Sequence, residues 1–195
     1  ITLLNKQEVG GNTNASDEIK HLFDNNKVFD YPKPTSLIKH LIDRVVVDGD
    51  TVLDYFSGSG STADAVMQLA DAAEYKSLRY IMVQLPEKIY DIKEGREDRI
   101  VRAAAKIREK NPDTPADLGF RHFTLTEPLG TTLDKLDEFS PDDNGMYVTN
   151  TILDDFGVPT VLATWLVRDG YGFTASVEAI DFAGYTGYYM GKHLY

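Results

Sequence analysis

The chain has 195 residues, 42% of them hydrophobic, and a formal net charge of −11. That length suits one domain, or one domain with a small appendage, and is enough to bury a core. The lack of cysteine excludes disulfides and cysteine metal sites, and an acidic chain is a poor stand-alone binder of nucleic acid, whose phosphates call for Lys and Arg.

In chain order, residues 1–24 read as a lead-in segment. Ile1 to Ala15 is polar and glycine-containing, a loop or extended stretch. Ser16 with Asp17 and Glu18 signals a helix start, and Ile19, Leu22 and Phe23 supply its apolar side. Asn25-Asn26 breaks it. In Phe29-Asp30-Tyr31-Pro32-Lys33-Pro34 the two prolines dictate an extended segment. From Thr35 or Ser36 a helix follows, with Leu37, Ile38, Leu41 and Ile42 at helical spacing.

Val45-Val46-Val47, a turn at Asp48-Gly49-Asp50, and the strand Thr51–Phe56 lead into Gly58 and Gly60. Thr62 to Leu69 then reads as a helix. A second strand is predicted near Tyr80–Gln84, a helix over Arg99 to Lys110 and a third strand near Phe120–Leu125. The charge run Lys93–Arg99 is read as a solvated loop and helix start. Leu129 to Gly145 has the composition of a linker. Beyond it come a helix over Thr160 to Arg168, with Val161, Leu162, Trp165 and Leu166 inward, and extended pieces from Phe173 to Ile180 and Tyr185 to Met190. The expected division is therefore 1–24, 25–128 and 129–195.

Strand, glycine turn, helix is the opening unit of a nucleotide-binding α/β sheet. Glycine lets the backbone turn sharply and a ligand come close, and the N–H groups of the first helical turn face that ligand. Gly58-x-Gly60-x-x-Ala63 satisfies the dinucleotide fingerprint in form. That fingerprint wants a carboxylate roughly 20 residues on, and the position after the next strand is Gln84. Asp54 precedes the turn and would repel a pyrophosphate. It suits a cationic ligand such as S-adenosylmethionine, which carries a sulfonium and an ammonium. The plainer reading is that Asp54 caps the turn through its side chain.

Two motifs now line up with a known family. Asp54-x-Phe56-x-Gly58-x-Gly60-Ser61-Thr62 resembles the S-adenosylmethionine motif of DNA amino-methyltransferases. Phe29-x-x-Pro32-Lys33-Pro34-x-x-Leu37-Ile38 resembles the motif preceding it in the circularly permuted, beta-class members. Arg79 to Glu87 and Gly119-Phe120-Arg121-x-Phe123 look like the modification subunit of type III restriction–modification systems. The resemblance is good over Asn25 to Leu125 and loose elsewhere. It implies a Rossmann-like, S-adenosylmethionine-dependent methyltransferase fold, a partial three-layer α/β sheet, with a small C-terminal α+β appendage. It implies methyl transfer to the exocyclic amine of a flipped adenine in DNA.

Catalysis in that family uses an Asp-Pro-Pro-Tyr type loop, and this chain has no Pro-Pro pair. No catalytic residue is therefore assigned. The chain begins at Ile1 and reads as the carboxy-terminal half of such an enzyme, holding the cofactor while the catalytic loop and target-recognition region lie upstream. The resemblance further implies a homodimer, a restriction subunit as partner and DNA contacts made mostly elsewhere. With no hydrophobic run long enough to cross a bilayer and no secretory leader, the sequence reads as that of a cytoplasmic protein with no membrane association. A non-catalytic cofactor-binding or assembly fragment and a dinucleotide-dependent oxidoreductase are the competing readings.

The roles follow the motifs. Gly58 and Gly60 make the turn that accepts the methionine part of the cofactor, and Asp54 attracts its ammonium. Phe56 is either a pocket wall or a core aromatic. Ser61 and Thr62 bind the methionine carboxylate, act as an N-cap, or do both. Phe29, Pro32 and Lys33 cover the cofactor from the other side. Gln84 stands where the family often has a ribose-binding acid, and Glu87 is the alternative ribose contact. Trp165, Tyr185, Tyr188 and Tyr189 are core or interface aromatics before they are base-stacking platforms. The four histidines show no ligand spacing, so no metal is assigned.

Overall fold

A computed structural model describes residues 4–5, 9–72, 75–85, 96–127 and 152–195. The chain divides into two units, Ile1–His122 and Phe123–Tyr195.

In the first unit the elements run α1 (Asn12–Leu22), α2 (Thr35–Asp43), β1 (Thr51–Asp54), α3 (Ser61–Asp71), β2 (Arg79–Met82) and α4 (Arg96–Lys110). Helix α1 begins well before the Ser16 signal. Gly11 is its N-cap, and the Gly11 N–H donates to Asn14 Oδ1 at 2.9 Å. Residues 12–15, read from sequence as loop, are helical, and Ala15 is fully buried. The helix ends where Asp24 and Asn25 take left-handed φ values of 52° and 68°. Helix α2 starts at Thr35, directly after the extended Pro32-Lys33-Pro34 segment.

Strands β1 and β2 pair in parallel, with Leu53 opposite Ile81 and Asp54 opposite Met82. Burial alternates along both strands. Val52, Tyr80 and Met82 pack against buried clusters contributed by α2, α3 and α4. The opposite positions, Leu53 and Ile81, are exposed. Helix α3 is the centre of this unit. Ala63 and Met67 join Ile100, Ala103, Ala104 and Ile107 of α4 on one side. Ala65, Val66 and Leu69 join Ile42 of α2 on another. A helix apolar on several sides belongs in an interior, and its alanines let both neighbours approach closely.

The expected third strand is not formed. Residues 118–127 are described and carry no strand. Leu118 is buried in the α3–α4 cluster, whereas Leu125 is 91% exposed. Alternating apolar residues qualify a segment for a sheet, but a paired neighbour is needed to realise it. Among the described residues the first unit is thus one two-stranded sheet with helices over one face, not three layers. The linker expected over Leu129 to Gly145 lies outside the described residues.

In the second unit, α5 (Ile152–Arg168) is interrupted at Gly157, which has φ 74° and ψ 157°. The helix resumes with Pro159 in its first turn, where a missing N–H does no harm. Strands β3 (Glu178–Phe182), β4 (Tyr185–Met190) and β5 (His193–Leu194) form an antiparallel meander in that order. The β3–β4 turn is Ala183-Gly184, both at positive φ, as tight hairpins of right-twisted strands require. Leu166 is buried, but Trp165 is half exposed against the Tyr195 ring, and Tyr185 is 81% exposed. Trp165 is not the inward residue that its helical spacing suggested, and of the core and interface alternatives for Trp165 and Tyr185 the core one does not hold.

Candidate functional site

Past β1 the backbone stays laced to the end of β2. The Val83 N–H donates to the Asp54 carbonyl at 2.8 Å, and the Ser57 N–H to the Val83 carbonyl at 3.2 Å. The turn then closes with the Gly60 N–H on the Ser57 carbonyl at 2.7 Å. Gly58 and Gly60 have φ of 47° and 79°, a region costly for any residue with a Cβ. Gly60 is itself the N-cap of α3, and no side chain caps that helix. The N-cap role considered for Ser61 and Thr62 is therefore not the one they play.

The predicted side chains among the described residues each have a definite place. Asp54 Oδ1 accepts the Phe56 N–H at 3.1 Å, and Asp54 Oδ2 accepts the Thr62 hydroxyl at 2.6 Å. The carboxylate thus shapes the turn and ties it to the helix. Gln84 Oε1 accepts the Gly58 N–H at 2.9 Å. Ser61 donates its hydroxyl to the Lys33 carbonyl at 2.9 Å. Phe56 is 82% exposed, which rules out the core alternative. Phe29 is half-buried against Ile19, Phe23 and Val28, Pro32 is buried, and the Lys33 side chain is exposed. Asn12, Ser16, Asp30, Tyr31, Pro32 and Lys33 line a cleft of about 190 Å³. The two motifs, far apart in sequence, meet at Ser61 and Lys33. Glu87 lies outside the described residues.

Sequence reasoning missed the group beneath the turn. Arg99, expected in a solvated run, is fully buried. Its Nη1 donates to Ser59 Oγ at 3.1 Å and Ser61 Oγ at 3.2 Å. Its Nη2 donates to Thr35 Oγ1 at 2.9 Å and Asp64 Oδ2 at 3.1 Å, with Glu18 Oε2 at 3.7 Å. Glu18 also accepts the Thr35 hydroxyl at 2.6 Å and the Thr35 N–H at 3.0 Å. The signal was present in the spacing. Arg99, Ala103 and Ile107 fall at i, i+4 and i+8, so Arg99 stands on the buried stripe of α4. Asp64 likewise sits between Ala63 and Ala65. A charge on an apolar stripe needs a buried partner.

Two carboxylates face one guanidinium below the turn, and Asp54 stands beside it. A Cβ on Gly58 would meet only the Phe56 carbonyl, at 3.7 Å, among the described residues.

Known proteins resemble the chain in both of its units. A family model for DNA methylases matches residues 5–94, and one for the C-terminal domain of the type III restriction–modification enzyme EcoP15I matches residues 156–195. The StyLTI Mod subunit of Salmonella typhimurium is 36% identical over 217 residues, covering 93% of this chain and 33% of that protein. The chain is thus similar to the Mod subunits of type III restriction–modification enzymes. The Mod subunits of EcoPI from Escherichia phage P1 and EcoP15I from Escherichia coli are 28% and 29% identical to this chain, again over 93% of it. The chain spans about a third of the length of these curated relatives. The methylase match falls in the first structural unit, with the glycine turn and the Phe29–Pro34 segment. The C-terminal match falls in the second. Among the described residues no helix is long and apolar enough to cross a membrane, and no cluster of His, Asp and Glu is fit to hold a metal.

Proposed function

We propose that this chain is the cofactor-binding part of a site-specific DNA adenine methyltransferase of a restriction–modification system. The observation that carries this reading is Asp54 set against a left-handed glycine turn, with the Phe29–Pro34 segment held to the same turn through Ser61 and Lys33. The cofactor is S-adenosylmethionine, whose sulfonium supplies an electrophilic methyl group. Gly58 and Gly60 admit its methionine end, and Asp54 holds the ammonium. The hydroxyls of Ser61 and Thr62 already donate within the protein. These residues therefore serve the methionine carboxylate through main-chain N–H groups at the uncapped helix start. Exposed Phe56 walls the pocket, and Phe29, Pro32 and Lys33 close it. Gln84, whose oxygen is taken by Gly58, offers its NH2 to the ribose, with Glu87 as the second candidate.

The target in this reading is the adenine amino group of DNA. The parent protein acts as a homodimer with a restriction subunit, within a Rossmann-like sheet. The reacting amine is held by an Asp-Pro-Pro-Tyr type loop, for which this chain has no sequence.

Calorimetry of the chain with S-adenosylmethionine, S-adenosylhomocysteine and NAD tests the reading. The adenosyl compounds should bind and NAD should not, and tight binding of NAD alone would end it. Gly60→Val should abolish cofactor binding while the far-UV circular dichroism stays the same. The chain by itself should transfer no methyl group to DNA.

A further inference from the structure

Arg99 joins three helices to the turn: Glu18 on α1, Thr35 on α2, Ser59 within the turn, and Ser61 and Asp64 on α3. Each hydroxyl in this group has one hydrogen, which settles the direction of every bond. Ser61 gives its hydrogen to the Lys33 carbonyl, so it accepts from Arg99 and from Ser59, 3.0 Å away. Ser59 gives its hydrogen to Ser61 and accepts from Arg99. Thr35 gives its hydrogen to Glu18 Oε2 at 2.6 Å, much nearer than Asp64 Oδ2 at 3.4 Å, and accepts from Arg99. Donation therefore runs outward from one guanidinium to the Lys33 carbonyl and the Glu18 carboxylate. Arginine has no acceptor and stays charged, so the two serines have one orientation available. Among the described residues Arg99 Nε has no hydrogen-bond partner, so the two terminal nitrogens carry the whole network.

We infer that Arg99 is the positioning residue of the glycine turn: by orienting Ser59 and Ser61 it sets the geometry into which the cofactor binds, without touching the cofactor. This rests on the cofactor reading above. A merely structural arginine would change global stability and leave turn order and ligand affinity alone once the protein is folded. A positioning arginine changes both.

The experiment compares the chain with Arg99→Lys, Ser59→Ala and Ser59→Thr. S-adenosylmethionine affinity is measured by calorimetry, and amide exchange is followed by mass spectrometry of peptides spanning 55–62 and 185–194. Lysine keeps the charge but loses the fork, so Arg99→Lys should weaken binding about tenfold and speed exchange in 55–62 by a similar factor. Exchange in 185–194 should be unchanged. Ser59→Ala should give a smaller effect of the same kind, less than additive with Arg99→Lys, and Ser59→Thr should restore the wild-type values. Wild-type affinity and wild-type exchange in folded Arg99→Lys would overturn the inference. Should Arg99→Lys not fold, unchanged exchange over 55–62 in Ser59→Ala would overturn it instead. Should the unmodified chain bind no S-adenosylmethionine, the cofactor reading falls, and the exchange data alone decide whether Arg99 orders the turn.

Discussion

The Ser61 hydroxyl donates to the main-chain carbonyl of Lys33 at 2.9 Å, joining the first residue of the helix after the glycine turn to the proline-framed segment before α2. Two short motifs that are separate in sequence become one site through this bond. Removing the hydroxyl leaves a carbonyl unsatisfied and Arg99 short of an acceptor. Ser61→Ala should therefore cost about 1 kcal/mol or somewhat more in urea unfolding, with cofactor affinity falling alongside. Ser61→Thr should retain most of both.

The buried ion cluster makes a sharper prediction. Arg99→Met leaves the buried Asp64 carboxyl without its guanidinium partner, which should destabilise the chain by about 3–5 kcal/mol. Adding Asp64→Leu and Glu18→Gln removes the stranded charges and should return much of that loss, because a well-packed apolar replacement for a buried ion pair is often neutral. Equilibrium denaturation of the single and triple variants checks this.

Tyr80 gives the pH dependence a sign. Burial, then the nearby charge of Asp117, pushes its phenol from the ordinary 10.0 up to about 12. The hydroxyl is buried without a hydrogen-bond partner among the described residues. Since the folded value lies above the unfolded one, the neutral phenol's contribution is complete below pH 10. It is lost as pH rises toward 12, where the unfolded chain has released a proton that the native state still holds. Tyr80→Phe should flatten the fall in stability over that window and be neutral or slightly stabilising at pH 7, as read from chemical denaturation across the range.

The second unit offers an independent check on backbone conformation. Ala183 sits at φ 53° in the hairpin between β3 and β4, a region that disfavours a residue with a Cβ. Ala183→Gly should raise stability by roughly 0.5–1 kcal/mol, and Ala183→Asn by a similar amount, since Asn-Gly is the preferred pair for this turn. Slower amide exchange across 178–190 would report it. Faster exchange would mean that the hairpin has a different turn.

Local patterns in the chain carry a good deal of this. Pro32 and Pro34 dictate the extended lead into α2, and apolar spacing marks α2, α3 and α4. The residues Asp54, Gly58 and Gly60 mark the ligand turn, because strand, bend and helix start each have their own local chemistry. Boundaries slipped where another local signal competed, as when Gly11 and Asn14 started α1 ahead of Ser16.

What residue order alone leaves undecided is pairing. The stretch from Phe120 to Leu125 alternates like a strand, yet a strand is completed only by a neighbour's N–H and C=O groups, and those lie elsewhere in the chain or in another chain. Arg99 looked like one member of a charged surface run, and only the packing of α4 against α3 placed it opposite Asp64, 35 residues away in sequence. Periodicity tells which side of a helix is apolar. Which partner meets that side, and whether a charge there is matched, is a property of contacts between distant residues and so is decided by tertiary structure.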